Sequence, residues 1–131
     1  MKKIVTLLIV VLLAYCKGEK PETIIVTTLQ KIIYEYGFKL NDYKIIHDNI
    51  KSEENFSEIL ERHHLNYPKE LEIVSKIKDT FNVRKIRSGI PYTILAKKDS
   101  TEQAQVFIYK HSKVRYTVVD FKDSIITAYN A

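Results

Sequence analysis

Apolar residues recur at helical spacing just before the middle of the chain. They fall at positions i, i+3, i+4 and i+7, which is one face of an α-helix: Phe56, Ile59, Leu60 and His63. Asn55 precedes them and Glu58 follows three residues later, a spacing typical of a capping box. The pattern predicts a helix of about nine residues that begins after Asn55.

A second apolar stripe follows at once. Pro68 suits a first helical turn, and Asn82 is placed to end the helix. One side of this helix is expected to carry Leu71, Val74, Lys78 and Phe81, with Ile73 and Ile77 widening the stripe. Two short helices with a connection of three or four residues are expected to pack as a hairpin.

Segments rich in β-branched and aromatic residues lie on both sides of the helices. The first spans residues 43–50, and four more follow the second helix, at 92–96, 105–109, 114–121 and 124–129. Each is bounded by polar turn residues, as strands are. The element order is strand, helix, helix, strand and then an antiparallel β-meander, which predicts an α+β fold.

Residues 23–36 fit two patterns. Ile25, Leu29 and Ile32 fit a helical stripe, whereas the β-branched run at 24–28 is typical of a strand. We expect a helix or a loosely packed extension here. Gly37 interrupts the pattern, and the folded module is expected to span residues 37–131.

The N-terminus has the pattern of an export signal. Lys2 and Lys3 form a positive start, and eleven mostly apolar residues follow from Ile4 to Ala14, too few for a membrane span. Cys16 comes next, in a run that resembles a bacterial lipobox, although Tyr15 replaces the usual small residue. We therefore expect a signal peptide at 1–16, lipidation at Cys16 and a tether with an N-terminal extension at 17–36; an uncleaved anchor with a spare thiol is the alternative.

Composition and charge limit the functions that we expect for the chain. Lys2 and Lys3 lie in the signal segment, which leaves 19 basic against 16 acidic residues in the remaining chain. These charges are interspersed, so no nucleic-acid partner is expected. Cys16 is the one cysteine, so the exported domain is expected to fold without a disulfide. The expected location is the bacterial cell envelope, with a lipid anchor on the periplasmic side or at the outer membrane.

The block from residue 43 to 95 resembles a LysM-type module, a small fold often found in peptidoglycan-binding proteins. The matching pieces are residues 55–60, in the first helix, and residues 83–92, which contain the loop, the glycine and the approach to the closing strand. The resemblance implies a strand–helix–helix–strand unit that binds glycan.

A longer series of matches resembles the N-terminal accessory region of Bacteroidetes-type cell-wall peptidases, which belong to the lysostaphin-like zinc metallopeptidase family. It covers roughly residues 36–129, through matches at 36–38, 56–60, 81–89, 91–93, 98–100, 107–109 and 118–121. The resemblance implies an envelope protein that works on or near peptidoglycan, with a region that positions a catalytic domain, binds glycan or covers the catalytic cleft.

The zinc-ligand pairs of that family, H-x-x-x-D and H-x-H, do not occur in the sequence. Its four histidines are His47, His63, His64 and His111, and adjacent helical side chains such as His63 and His64 converge poorly on one ion. We therefore expect a non-enzymatic chain with no metal and no cofactor. It would be either a piece of a longer protein or a separate accessory lipoprotein. Its expected partners are peptidoglycan or a peptidase catalytic domain.

The candidate binding residues follow from the LysM resemblance and from one basic cluster. A glycan groove is expected near Asn55, Phe56, Arg87 and Gly89, with Gly89 supplying a positive φ. Arg84, Lys85 and Arg87 could bind an anionic polymer, a lipid headgroup or a carboxylate of a partner domain. The alternative is that Val83 and Ile86 pack inward while the charges keep a turn soluble. No catalytic residue is expected.

Overall fold

The computed structural model describes residues 29–131. The expected signal peptide, Cys16 and most of the expected tether lie outside these residues. Residues Lys31–Ala131 form one compact unit. Its strands and helices, in chain order, are β1 (Tyr34–Glu35), β2 (Phe38–Lys39), β3 (Tyr43–Asn49), α1 (Phe56–Arg62), α2 (Lys69–Ile77), β4 (Pro91–Lys97), β5 (Ala104–Lys110), β6 (Tyr116–Asp120) and β7 (Thr127–Asn130).

A five-stranded antiparallel sheet forms the centre of the unit. Its strand order is β3-β4-β5-β6-β7, so sequence neighbours are also neighbours in the sheet. β3 and β4 are separated in sequence by α1 and α2 but are paired directly in the sheet, with Ile46 opposite Ile94. The predicted α+β class and element order are confirmed. The arrangement specific to LysM modules stays a prediction.

The central strands are buried because both faces of the sheet are covered. On one face, Ile94, Phe107 and Val119 share a core with residues of both helices. On the other face, Leu95, Val106, Ile108 and Val118 pack against Tyr36, Phe38 and Leu40 of the N-terminal segment. Successive side chains of a strand point to opposite faces. Because both faces are covered here, nearly every residue of β4 and β5 is buried, and their sequences are almost continuously apolar.

The start of α1 agrees with the sequence. The Asn55 side chain accepts a hydrogen bond from the Glu58 backbone N–H, and the Glu58 carboxylate accepts one from the Asn55 backbone N–H, which completes the predicted capping box. Phe56, Ile59 and Leu60 are buried. The observed helix has seven residues, somewhat fewer than expected.

The expected face of α2 is confirmed at Ile73 and Ile77, which are buried, and at Val74, which packs against the core. It is wrong at Leu71, which is 52% exposed, and at Lys78, which is also exposed. Glu70 is the third buried residue of the helix. The helix ends at Ile77, and the Thr80 and Phe81 backbone N–H groups both donate to the Ile77 carbonyl in a turn. Phe81 therefore reaches the core from outside the helix and does not extend its stripe.

One charged residue is packed among the apolar side chains of α2. Glu70 is 8% exposed, and its Oε2 atom has no hydrogen-bond partner among residues 29–131. A buried polar atom without a partner costs stability. This carboxylate is therefore a site of local destabilisation in the helix layer.

The N-terminal segment is extended where the structure describes it. Residues 29–36 contain no helix, so the helical alternative for residues 23–36 is wrong in this part. β1 and β2 form a hairpin whose turn consists of two residues, Tyr36 and Gly37. Both have positive φ, as two-residue hairpin turns of this type require. The expected module boundary at residue 37 thus falls inside this hairpin. Among the described helices, none has the length and apolar character needed to cross a membrane.

Candidate functional site

Residues 82–90, here called the basic loop, form the second part of the connection between α2 and β4. The Asn82 side chain accepts a hydrogen bond from the Arg84 backbone N–H at 3.0 Å, which starts a short 3-10 turn at Val83–Lys85. Val83 and Ile86 pack against the main core, while Arg84, Lys85 and Arg87 are exposed. The loop therefore holds its apolar residues inward and presents its cations to solvent.

Backbone hydrogen bonds hold the basic loop to the strands on both sides. The Arg87 N–H donates to the Tyr109 hydroxyl at 3.1 Å. The Gly89 N–H donates to the Ile50 carbonyl at 2.7 Å, and the Ile50 N–H donates to the Ile90 carbonyl at 2.9 Å. Gly89 has φ +82°, the positive value expected from the sequence. The loop is thus a fixed platform for its charged side chains.

Asn55 and Phe56 serve the helix and the core. Asn55 is exposed, but its side-chain oxygen is occupied by the Glu58 N–H at 2.9 Å. Phe56 is 2% exposed and makes edge-on ring contacts with Phe81 and Phe107. The Phe56 ring therefore has no exposed face for a ligand, which corrects the expectation that it lines a glycan groove.

The two arginines of the loop border different depressions. Arg84 lies beside a depression lined by Val74 and Lys78 of the α2 region. Arg87 lies on a cleft of about 550 Å³, here called the basic cleft. The cleft runs between the basic loop and the ends of β5, β6 and β7. The structure thus separates Arg84 from Arg87 and places Arg87 beside residues that are distant in sequence.

The basic cleft has an aromatic base and a cationic rim. Its loop side is lined by Thr80, Phe81, Asn82, Lys85, Arg87 and Ile90. Its sheet side is lined by Tyr109, His111, Arg115, Tyr116, Thr117, Asn130 and Ala131. Within the described part of the chain, these lining residues include no acidic side chain. The cleft therefore favours a ligand that combines negative charge with an apolar or ring-shaped surface.

The cations of the cleft are not neutralised by neighbouring side chains. Within residues 29–131, no ion pair involves Lys85, Arg87 or Arg115. Arg62, in contrast, pairs with Asp48 at 3.4 Å and with Glu54. Arginine binds carboxylates and phosphates through a planar pair of donors, so the two cleft arginines are available for an anionic ligand.

His111 connects the cleft to β6 and β7. The Thr117 hydroxyl donates to the Asn130 side-chain oxygen at 2.5 Å, and the His111 Nε2 atom lies within hydrogen-bond distance of the Thr117 hydroxyl oxygen, at 2.7 Å. Partial burial, followed by the Arg115 charge, lowers the pKa of His111 below 6.5. The lowered pKa favours the neutral imidazole.

His63 and His64 do not form a joint site. His63 is buried, and its Nε2 lies 3.4 Å from the Tyr92 hydroxyl, whereas His64 is exposed with φ 68°. Among residues 29–131, no group of three or more His, Cys, Asp and Glu side chains is placed to hold a metal ion. His63 completes the buried face of α1, as its sequence position predicts.

The sequence reasoning did not identify His111 and Arg115 as site residues. They lie 24 and 28 positions after Arg87, and no motif joins them to it. The strand register does: Tyr92 pairs with Tyr109, and Lys110 pairs with Tyr116. An antiparallel β4-β5-β6 meander therefore brings the 110–116 turn to the end where β4 begins, beside the basic loop. This register is a property of the folded sheet, so no local sequence pattern indicates the cleft.

Comparison with models of known protein families gave no match, and comparison with curated proteins gave none either. A solved structure, that of a zinc-containing peptidase from Vibrio cholerae, is similar with a TM-score of 0.55 and 21% sequence identity. The match covers 65% of this chain and 26% of the peptidase chain. It shows a shared fold, and this chain matches about a quarter of the length of that peptidase.

Proposed function

We propose that this protein is a non-catalytic, peptidoglycan-associated accessory module of an envelope lipoprotein. The observation that carries the proposal is the fold shared with a zinc-containing peptidase, which involves 65% of this chain but 26% of the other. A likeness of that extent is what an accessory region of a larger peptidase would give. The family resemblance of residues 36–129 leads to the same class of protein.

The non-catalytic part of the proposal rests on the sequence. A peptidase of the resembled family holds zinc through H-x-x-x-D and H-x-H pairs, and neither pattern occurs in these 131 residues. Zinc sites need three or four ligands that converge in tetrahedral geometry. We therefore assign this chain a positioning or binding role beside a peptidase activity supplied elsewhere.

The envelope location rests on the N-terminal pattern. Lys2 and Lys3, the apolar run from Ile4 to Ala14 and the lipobox-like Cys16 are the features of an exported, lipid-anchored protein. An anchor of this kind would hold the module at a membrane surface, within reach of the cell wall.

The binding surface is assigned to the basic loop and the basic cleft. Peptidoglycan carries carboxylates on its stem peptides and presents sugar and peptide surfaces beside them. The cleft offers Lys85, Arg87 and Arg115 as cations, with the half-buried Ile90 and Tyr116 as apolar surface above a closed base of Phe81 and Tyr109. The LysM-like unit supplies the scaffold, and the loop before its closing strand supplies the contacts.

Co-sedimentation with purified peptidoglycan tests the proposal. The full-length protein, kept in mild detergent, is mixed with insoluble peptidoglycan and centrifuged. We expect wild type and Arg84→Glu to sediment with the polymer and Arg87→Glu to remain largely in the supernatant. Arg84 is a matched control because it is an exposed arginine on the same loop that lies outside the cleft. Wild-type protein that stays entirely in solution would overturn the proposal.

The second candidate function is a protein-interaction or autoinhibitory module that docks on a peptidase catalytic domain. The exposed cations at Arg84 and Arg87 favour it, because neither side chain has an acidic partner within residues 29–131. The test adds the full-length protein to the matching catalytic domain and follows cell-wall hydrolysis. Inhibition that disappears when both arginines become Glu supports this function, and unchanged hydrolysis rejects it.

A further inference from the structure

Two arginines that are remote in sequence line one cleft, and each is held through its backbone N–H, which donates to a side-chain hydroxyl. Arg87 is fixed through its N–H bond to the Tyr109 hydroxyl at 3.1 Å. Arg115 lies in the turn between β5 and β6, where its N–H donates to the Ser112 hydroxyl at 3.1 Å and its carbonyl accepts from the Ser112 N–H at 3.1 Å. A binding site whose backbone is already ordered loses less entropy when a ligand binds.

We infer that the basic cleft is a carboxylate-binding site, with Arg87 and Arg115 as the residues that recognise the carboxylate. The assignment of that carboxylate to a peptidoglycan stem peptide rests on the proposed function. Lys85 adds a third positive charge at the rim, and the half-buried Ile90 and Tyr116 provide an apolar wall for the part of the ligand next to the anion. His111 completes the sheet side.

The binding surface continues beyond the cleft. A neighbouring depression of about 670 Å³ shares Ile90, His111 and Tyr116 with it and adds Lys110 and Lys113 on its own rim. Glu35 is the acidic side chain among its lining residues. A ligand longer than a single carboxylate group can therefore lie across both depressions, as a stem peptide with several acidic groups would.

Calorimetric titration of the full-length protein, in detergent at low salt, tests the inference with paired probes. The first pair is a soluble peptidoglycan fragment with free carboxylates and the same fragment with its carboxylates converted to amides. The second pair is N-acetyl-alanyl-alanine and its amide. We expect each amide to bind at least about tenfold more weakly, because hydrogen bonds between charged groups are the strong ones. Inorganic phosphate serves as a separate anion probe.

Two variants locate the binding. Arg115→Gln removes the charge from an exposed position whose turn is held by backbone groups, so the fold is kept. It should weaken binding of the free-carboxylate probes about tenfold. Arg84→Gln makes the same chemical change outside the cleft and should change affinity less than about twofold.

The outcomes distinguish failure of the carboxylate site from failure of the proposed function. Equal affinity for acid and amide, equal losses in the two variants, or tight binding of phosphate instead of the carboxylate probes overturns the carboxylate site. If intact peptidoglycan still sediments the protein in that case, the proposed function stands. Binding of N-acetyl-alanyl-alanine without any binding of peptidoglycan or its fragments supports the carboxylate site and overturns the proposed function.

Discussion

Gly89 sets the backbone direction of the basic loop just before β4. Its φ of +82° lies in the left-handed region, and a Cβ added there would meet no described atom within 4 Å. Replacement by alanine therefore costs only backbone strain. We expect Gly89→Ala to lower the free energy of unfolding by about 1 kcal/mol, measured by urea denaturation.

Asparagine at position 89 is the matched control, since it tolerates positive φ better than alanine. Gly89→Asn should cost less than half as much as Gly89→Ala. Equal losses for the two variants would contradict a purely conformational role for Gly89.

His63 makes stability depend on pH. Burial, followed by the Arg62 charge, lowers the pKa of His63 below 6.5 in the folded protein. Below pH 6.5 the unfolded chain then binds more protons than the fold does, so stability falls as the pH falls. We expect the urea midpoint to be lower at about pH 5 than at about pH 7.5, and His63→Gln to reduce that difference.

A control and a second histidine determine how the His63 test is interpreted. His64 is exposed and is the last of the causes that act on the His63 pKa, so His64→Asn should change the pH dependence much less than His63→Gln does. His111 also has a lowered pKa, so His63→Gln should flatten the profile without abolishing the slope. A profile that keeps its full slope in His63→Gln would show that His63 does not carry the effect.

At the scale of elements, α1 depends on its N-terminal cap. Asn55 and Glu58 exchange hydrogen bonds at 2.9 and 3.1 Å. Loss of such a cap costs about 1 kcal/mol, so Asn55→Ala should lower the thermal midpoint clearly. Asn55→Asp keeps an acceptor and should stay close to wild type. Asn66→Ala, at an exposed asparagine after the same helix, is the control, and an equal loss there would argue against a specific cap.

The two helices differ in how far the sequence could define them. In α1, the cap and the apolar stripe both come from consecutive turns of one helix, so a local pattern was sufficient. In α2, the predicted stripe includes Phe81, which lies beyond the turn that follows Ile77. It also includes Leu71 beside Ile73 and Ile77, and of these three residues Ile73 and Ile77 are buried while Leu71 is exposed. Apolar periodicity predicts that a helix is present. Where the helix ends and which elements pack against it decide which of its faces is buried.

At the scale of the whole molecule, long-range pairing supplies what local patterns could not. Alternation and turn residues predicted the strands of the meander, and the α+β class followed from their order. The β1–β2 hairpin was missed because each strand has two residues, and its role depends on covering the far face of the sheet. The basic cleft was missed for the same reason: Arg87 and Arg115 become neighbours only through the register of β4, β5 and β6.

Hydrogen–deuterium exchange of the full-length protein, with and without soluble peptidoglycan fragments, tests most directly whether the basic cleft binds peptidoglycan. We expect slower exchange of backbone amides in residues 82–90 and 109–117, which border the basic cleft, and little change in α1. Unchanged exchange in both of these segments, with protection confined to α1 or absent throughout residues 29–131, would show that the cleft is not the binding site.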